Sequence, residues 1–284
     1  MPAPNVPILH TRSLAAGHRG RALLQGLQLQ LQRGELTCLL GPNGSGKSTL
    51  LHTLTGLLKP AGGEVWINGT PLQQLSPRQL AKNTSMVLAQ KIAAVNLSVA
   101  EVVSLGRTPH TGWLGHLTNT DREAVQKAMR LVGVENFALR SINELSDGER
   151  QRVMIAKALA QDTPLVVLDE PTAWLDVTNR VALLYLLKEL AGSTGKAILL
   201  STHELELAIQ LAGTVWLIDP QGRLQTGAPE DLVLAGALGE TFHGEHIHFD
   251  QQSGTFKIRH KTTRHIYLQG QGLPAFWTRH ALQK

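Results

Sequence analysis

The sequence contains a single cysteine, Cys38, and no apolar run as long as a membrane-spanning helix. One cysteine excludes a framework of internal disulfides, and its position in the apolar stretch ELTCLL predicts an unreactive thiol in the core. A membrane span requires about 18–20 consecutive apolar residues, and the N-terminal MPAPNVPILHTRS lacks the apolar core of a signal peptide. We therefore expect an intracellular protein without a membrane-spanning segment.

Acidic residues are absent from residues 251–284, which carry six Lys and Arg side chains. Residues 1–250 hold 21 Lys and Arg against 22 Asp and Glu, so the net charge of +5 comes from the tail alone. A basic tail is more often a solvated surface than a nucleic-acid-binding arm, and the aromatic residues here form no stacking array. We therefore predict no nucleic-acid partner.

Strand-like and helix-like segments alternate along this chain, which at 284 residues and 42% hydrophobic residues can form a sizeable core. Buried strands are predicted at 35–40, 165–170, 197–204 and 214–219, and helices within 41–58, 121–134, 143–161, 176–190 and 204–213. This alternation predicts an α/β fold with a parallel sheet that binds ligands at the carboxyl ends of its strands.

Two segments are predicted to form hairpins rather than parallel strands. GGEVWING (62–69) is typical of a hairpin arm that ends in a turn, and HIHFDQQSGTFKI (246–258) of a hairpin around QQSG. The composition changes near residue 245, which is the only plausible domain boundary.

The segment GPNGSGKST matches the pattern G-x-x-x-x-G-K-[ST], directly after an apolar strand and at the start of a helix. Glycines allow backbone N–H groups to surround phosphate oxygens, and the helix N-terminus favours negative charge. We expect Lys47 to reach the β- and γ-phosphates and Ser48 to offer its hydroxyl to Mg²⁺. The predicted phosphate-binding residues are Gly41, Pro42, Asn43, Gly44, Ser45, Gly46, Lys47, Ser48 and Thr49.

The strand LVVLDE ends in two adjacent carboxylates, Asp169 and Glu170. Carboxylates at the end of an apolar strand are costly unless a cation or a proton transfer uses them. We predict that Asp169 lies in the magnesium shell and that Glu170 polarises the attacking water as a general base.

Two further strand ends carry polar side chains that we place on the same edge of the sheet. His203 follows the strand AILLST, and we predict that it senses the γ-phosphate. Gln90 closes MVLAQ and is a candidate contact to magnesium or to the attacking water.

The stretch NELSDGERQRVMIAKALAQ (143–161) begins with an S-x-x-E capping box, Ser146 to Glu149, before an apolar stripe. Gly148 in the first turn costs roughly 1 kcal/mol of helix propensity. The segment is therefore either a capped core helix only or a helix whose N-terminus holds an anion.

Taken together, these motifs resemble the ATP-binding subunit of an ABC transporter over about residues 6–245. GPNGSGKST resembles Walker A, Gln90 the Q-loop, LSDGE (145–149) the LSGGQ signature and LVVLDE Walker B. AWLD (173–176) resembles the D-loop and His203 the switch histidine. The resemblance implies a RecA-like parallel-sheet core, an N-terminal antiparallel β subdomain and an α-helical signature subdomain at about 91–160.

The resemblance also implies ATP and Mg²⁺ as ligands, with Ser48, Gln90 and Asp169 around the metal and Glu170 and His203 as the catalytic pair. In this family two copies pack head to tail, and each ATP lies between the Walker A of one and the signature of the other. Ser146 and Gly148 would then face the γ-phosphate held by the partner.

Three residues depart from the family's pattern. Asp147 and Glu149 stand where Gly and Gln are usual, and we predict that Glu149 caps its own helix rather than touching nucleotide. His18 replaces the usual tyrosine on which adenine stacks. An imidazole is expected to hold the base more weakly than a larger aromatic ring.

No membrane helices are fused to this cassette, so we expect a separate integral membrane permease and, indirectly, a solute-binding protein.

LGRTPH (105–110) resembles the corresponding stretch of iron-chelate (siderophore), haem and cobalamin importers. Its alternative interpretation is a helix that ends in a turn with proline. The remaining candidates are an importer of another metal or small solute and a non-transport ABC ATPase. A DNA-repair ATPase with a long inserted coiled coil, a two-cassette translation factor and a simple P-loop kinase fit the sequence less well.

We predict an ATP-binding domain over residues 1–245 and a basic, β-rich extension over 246–284 whose role stays open. A surface extension, an accessory or regulatory segment, and a contact with the permease or with anionic lipid are all compatible with its composition. The expected location is peripheral, on the cytoplasmic face of the inner membrane.

Overall fold

The computed structural model describes residues 6–18, 21–88, 96–112, 115–244, 247–258 and 266–282. The strands are, in chain order, β1 (Leu9–His18), β2 (Arg21–Leu27), β3 (Gln30–Leu31), β4 (Leu36–Leu40), β5 (Gly62–Ile67), β6 (Thr70–Pro71), β7 (Thr84–Val87), β8 (Leu165–Asp169), β9 (Ala197–Ser201), β10 (Thr214–Ile218), β11 (Leu224–Gly227), β12 (Ile247–Asp250) and β13 (Thr255–Ile258). The helices are α1 (Lys47–Leu54), α2 (Pro77–Asn83), α3 (Val99–Ser104), α4 (Asn119–Leu131), α5 (Asp147–Ala160), α6 (Val177–Thr194), α7 (Leu205–Leu211), α8 (Pro229–Leu234), α9 (Ala237–Thr241) and α10 (Gly272–Leu282).

The central sheet has six strands in the order β11-β10-β4-β9-β8-β7, and its five strands from β10 to β7 are parallel. Every residue of β4, β8 and β9 is buried. Continuous apolar runs are typical of parallel strands that are covered on both faces. The predicted parallel α/β sheet is confirmed.

A second, antiparallel sheet is built from β2, β1, β5 and β6, with β3 also paired to β1. Residues 62–69 form the predicted hairpin arm, because β5 pairs with β6 across a turn that contains Asn68 and Gly69. The apolar side chains of this sheet pack in one cluster with α1 and with one face of the central sheet. The phosphate loop therefore lies next to both sheets.

The helical segment consists of α3, α4 and α5, which pack on one another and fall within the predicted range of 91–160. The turn after α3 lies close to α5 at Gly106, where an added Cβ would lie 2.2 Å from the carbonyl oxygen of Lys157. Only glycine fits there, so the backbone of this turn packs directly on the backbone of α5.

A buried ion pair joins the same helices. Arg107 donates from Nε to Asp121 Oδ1 at 2.8 Å and from Nη1 to the carbonyl oxygen of Ala160 at 2.8 Å. Asp121 also accepts the hydroxyl of Thr118 at 2.6 Å and thereby caps α4. The hydroxyl and amide of Thr118, together with Arg107, lower the pKa of Asp121 to about 2. The LGRTPH stretch thus has a structural role in holding the helical segment together.

The C-terminal residues contain the predicted hairpin and also a helix. β12 pairs with β13 in antiparallel register, and the ring centroid of Phe256 lies 5.2 Å from that of Phe249 and 6.0 Å from that of Phe242 after α9. The aromatic contacts attach the hairpin to the preceding helix. α10 buries none of its residues within the described structure.

The structure places Cys38 where the sequence predicts it. Cys38 lies fully inside the core, and burial raises the pKa of its thiol to about 12, so the thiol is inert. Among the helices of the described residues, none has the length and apolar character that crossing a bilayer requires.

Replacing Arg107 with Met is expected to lower the free energy of unfolding by about 3 kcal/mol, because it leaves Asp121 buried without its cation. The measurement is urea unfolding followed by circular dichroism at pH 7. Arg122→Met is the matched control, since Arg122 is exposed on α4, and should change stability by less than about 0.5 kcal/mol. Equal losses in both variants would contradict the assignment of the pair.

Candidate nucleotide-binding site

The carboxyl ends of three neighbouring strands meet at one edge of the central sheet. Ser201 at the end of β9 is paired in register with Asp169 at the end of β8 and with Leu39 near the end of β4. The loop 41–46 follows β4 directly. The parallel register therefore brings together the strand ends that the sequence singled out around Asp169, Glu170 and His203.

The loop has the backbone conformation of an anion cradle. Gly44 and Gly46 have φ values of 77° and 99°, and Gly46 is the N-cap of α1 without a side-chain cap. At Gly41, an added Cβ would lie 2.8 Å from the carbonyl oxygen of Ile218 and 2.8 Å from Ser45 Oγ. The first amides of α1 have no partner within the helix, which makes this N-terminus suited to phosphate oxygens.

Lys47 lies buried across the loop. Its ammonium group donates to the carbonyl oxygens of Gly41 at 2.9 Å and Pro42 at 3.1 Å. Burial lowers the pKa of Lys47, while the nearby carboxylates of Glu170 and Asp169 act in the opposite direction. A cation is thus held against the loop by the carbonyl oxygens of Gly41 and Pro42.

Oxygen donors suited to magnesium converge beside Lys47. Ser48 Oγ donates to Asp169 Oδ1 at 3.1 Å. Mg²⁺ is usually bound by one or two carboxylates together with substrate phosphates and water, rather than by a cage of protein ligands. Within the described residues there is no group of three or more His, Cys, Asp or Glu side chains that could hold a metal. The donor set fits a magnesium ion delivered with a phosphate ligand, and Gln90 lies outside the described residues.

Glu170 and His203 are in direct contact. His203 Nε2 lies 2.6 Å from Glu170 Oε1, with both side chains partly open to solvent. Glu170 has a φ of 48°, an unusual conformation for a non-glycine residue and one that concentrates at functional sites. A carboxylate and an imidazole are thereby placed together at the strand ends that carry Asp169 and Ser201.

His18, the last residue of β1, also reaches the phosphate loop. Its Nε2 lies 3.2 Å from Thr49 Oγ1 in the first turn of α1. The side chain is exposed and therefore accessible to a planar ligand that lies against the loop. The structure places His18 in the neighbourhood that the sequence predicted.

Ser146 and Glu149 form the predicted capping box at the start of α5. Glu149 Oε2 accepts from the Ser146 backbone N–H at 2.8 Å and from its hydroxyl at 2.7 Å. The Ser146 hydroxyl lowers the pKa of Glu149, and the Ser146 backbone amide does so to a lesser degree. Asp147 Oδ1 lies 3.3 Å from Arg150 Nη1. Both acids are therefore partnered by their own helix, which confirms the prediction that Glu149 caps it.

The sequence reasoning missed three side chains around the site. Ser201 contacts the side chain of Asp169, the last residue of β8, and the backbone N–H of Glu170, the residue that follows it. His52 Nε2 lies 3.9 Å from Asp169 Oδ2. Arg180 donates to the carbonyl oxygen of Leu175 at 2.7 Å and to Glu204 Oε1 at 2.8 Å. It thereby links the segment AWLD (173–176) to Glu204, the residue after His203. The sequence predicts that His52 lies near Ser48, because residues four apart share one face of a helix. The contacts of Ser201 and Arg180 depend on strand register and loop position.

Residues 24–173 match a family model described as ABC transporter. The chain is 38% identical over 234 residues to the iron(3+)-hydroxamate import ATP-binding protein of Bacillus subtilis, covering 82% of this chain and 87% of that protein. It is 35% identical over 231 residues to the ferric enterobactin transport ATP-binding protein of Escherichia coli, covering 81% of this chain and 85% of that protein. A solved structure described as a metal-chelate type ABC transporter superimposes with a TM-score of 0.74 at 27% identity, covering 84% of this chain and 90% of that chain.

Glu149→Gln is expected to leave ATP affinity within about twofold, because the amide oxygen can accept the same two bonds from Ser146. Affinity is measured by isothermal titration calorimetry with ATP in EDTA. Ser146→Ala removes the cap and should destabilise the protein by about 1 kcal/mol without changing that affinity. A tenfold tighter complex for Glu149→Gln would show instead that the carboxylate repels the nucleotide.

Proposed function

Because the chain belongs to the ABC transporter family of ATP-binding proteins, we propose that it is the ATPase subunit of an importer with a separate membrane permease. Family membership makes the chain an ATP-binding protein and an ATPase. The observation that carries the proposal is the meeting of the phosphate loop, Asp169, Glu170 and His203 at one edge of the sheet. This arrangement supplies the groups that hydrolysis of a nucleoside triphosphate requires.

Each residue at this edge has a role in the proposed reaction. Backbone amides of residues 41–46 and the first turn of α1 bind the phosphates, and Lys47 exchanges its loop carbonyls for β- and γ-phosphate oxygens. Ser48 and Asp169 would hold Mg²⁺, with Gln90 as a further ligand. The metal would neutralise charge on the phosphates and orient them.

Glu170 is the proposed general base. It accepts a proton from the water that attacks the γ-phosphate, and the bond from His203 holds its carboxylate in place. When nucleotide binds, the same hydrogen on Nε2 of His203 can be donated to a γ-phosphate oxygen instead of to Glu170. Both side chains are partly exposed, which leaves them accessible to the substrate.

A second copy of the chain would complete each ATP site. Ser146 is exposed at the N-terminus of α5, and its hydroxyl and the amide of Gly148 are donors suited to a phosphate. The head-to-tail dimer would close on two MgATP and reopen after hydrolysis. Closure would shift the permease between two states through the surface around the Q-loop and residues 91–115.

Iron chelates are the proposed solute class. The names of the two relatives above refer to iron(3+)-hydroxamate import and ferric enterobactin transport. Haem, cobalamin, another metal or another small solute are the alternatives, and a non-transport ABC ATPase is the alternative of a different class. The solute would be recognised by the permease and a solute-binding protein, and this chain would lie peripherally at the cytoplasmic face of the membrane.

Replacing Glu170 with Gln should trap a dimer in MgATP, because the base is lost while the binding groups remain. Sedimentation velocity with MgATP and with EDTA measures the conversion from monomer to dimer. Lys47→Ala, which removes the phosphate-binding cation, should abolish the conversion.

The dimer should also be lost in Glu170→Gln/Ser146→Arg, because an arginine at the start of α5 would block contact with the partner's nucleotide. Arg122→Met, on the exposed face of α4, is the control for surface substitution. A dimer that persists with Ser146→Arg would contradict the proposed head-to-tail arrangement.

His18→Ala is expected to weaken ATP binding by about fivefold, because stacking of a base on an aromatic side chain contributes about 1–3 kcal/mol and imidazole lies at the low end. His18→Tyr should tighten it. Calorimetry with ATP measures both effects, and His10→Ala, at the other end of β1, is the control. An unchanged affinity in His18→Ala would remove this residue from the site.

A further inference from the structure

Ser201 is a fully buried hydroxyl between the two acidic residues of the site. It is the last residue of β9, has no exposed surface and stands two residues before His203. A serine is an unusual end to the apolar run AILL unless its hydroxyl has partners, because burial of an unpaired hydroxyl is costly.

The hydroxyl donates one hydrogen bond and accepts another. Ser201 Oγ donates to Asp169 Oδ1 at 2.7 Å and accepts the backbone N–H of Glu170 at 2.9 Å. One atom therefore contacts the side chain of the proposed magnesium ligand and the main chain of the proposed base.

Asp169 Oδ1 receives two hydroxyls from different elements. Ser48 approaches from α1 at 3.1 Å and Ser201 from β9 at the shorter distance of 2.7 Å. If Ser48 turns its oxygen towards the metal, as proposed above, Ser201 still holds the carboxylate in place. The hydrogen bond from Ser201 to a charged acceptor is also of the stronger class.

The same hydroxyl holds the backbone of Glu170 where it turns into the left-handed region, at a φ of 48°. Such a conformation persists only when surrounding contacts enforce it. The bond to the Glu170 N–H fixes the peptide after Asp169, and that peptide directs the Glu170 side chain to His203.

We propose that Ser201 is a positioning residue that sets the metal-binding carboxylate of Asp169 and the base Glu170 through one hydroxyl. The proposal rests on the proposed function of this site in MgATP hydrolysis. Ser201 itself does not touch the reacting atoms.

Ser85 provides a matched control for the loss of a buried hydroxyl. It lies on β7 in the same sheet, is 2% exposed, and accepts the hydroxyl of Thr163 at 2.9 Å, beyond the opposite end of β8. Ser85→Ala therefore removes a comparable hydrogen bond away from the site.

The experiment compares Ser201→Ala, Ser201→Thr and Ser85→Ala in the full chain. The measurements are thermal unfolding without nucleotide, ATP affinity in EDTA, binding of Mn²⁺ in the presence of ATP by electron paramagnetic resonance, and steady-state ATPase kinetics. Mn²⁺ serves as the spectroscopic probe for the magnesium site.

In Ser201→Ala, kcat should fall about tenfold, which corresponds to about 1.4 kcal/mol. Mn²⁺ should bind several-fold more weakly, while ATP affinity in EDTA stays within about twofold. Ser201→Thr keeps the hydroxyl and should restore both values to within about threefold. Ser201→Cys, a closer match in size with a weaker donor, should be intermediate and replaces the threonine variant if that variant does not fold.

Normal kcat and normal Mn²⁺ binding in Ser201→Ala, with a melting temperature shifted as in Ser85→Ala, would overturn the positioning role. Loss of ATP binding in EDTA would also overturn it, because the hydroxyl would then be supporting the phosphate loop. Absence of ATPase activity in the unmodified chain would contradict the proposed function itself and is distinguishable from either result.

Discussion

Parallel pairing of β4, β9 and β8 is the interaction on which the whole site depends. The phosphate loop follows β4, Asp169 and Glu170 lie at the end of β8, and Ser201 and His203 lie at the end of β9. A shift of one residue in the β8–β9 register would move Asp169 away from Ser201 and turn its side chain to the other face. Apart from Thr37 in β4, the interiors of the three strands are apolar and buried, and their packing favours that register, so core packing and site geometry have the same cause.

The helical segment is joined to this sheet at one end of α5. Gln161, directly after the helix, donates to the carbonyl oxygens of Ala81 and Thr84 at 2.6 and 3.0 Å, which places the helix end at the start of β7. Arg107 donates to the carbonyl oxygen of Ala160, the last residue of α5. These contacts fix the C-terminal end of α5. Ser146 lies at the other end of this 14-residue helix, about 20 Å away.

The features that could be predicted from the sequence are those with a local cause. The capping box of Ser146 and Glu149, the loop before α1 and the apolar strands are encoded in stretches of a few residues. The contact of His203 with Glu170 joins side chains 33 residues apart. It depends on strand register and on the left-handed backbone conformation of Glu170, which the local sequence does not predict. Arg107 was assigned to a family motif, whereas its partners at Asp121 and Ala160 show that it also serves the helix packing.

The two bonds from Lys47 to the carbonyl oxygens of Gly41 and Pro42 have a thermodynamic consequence. Since the chain itself supplies the contacts that order the loop, the conformational entropy of this segment is lost during folding rather than during binding. A ligand then exchanges one set of acceptors around the ammonium group for another, without the penalty of ordering a coil. A triphosphate and a diphosphate would therefore meet the same preformed backbone.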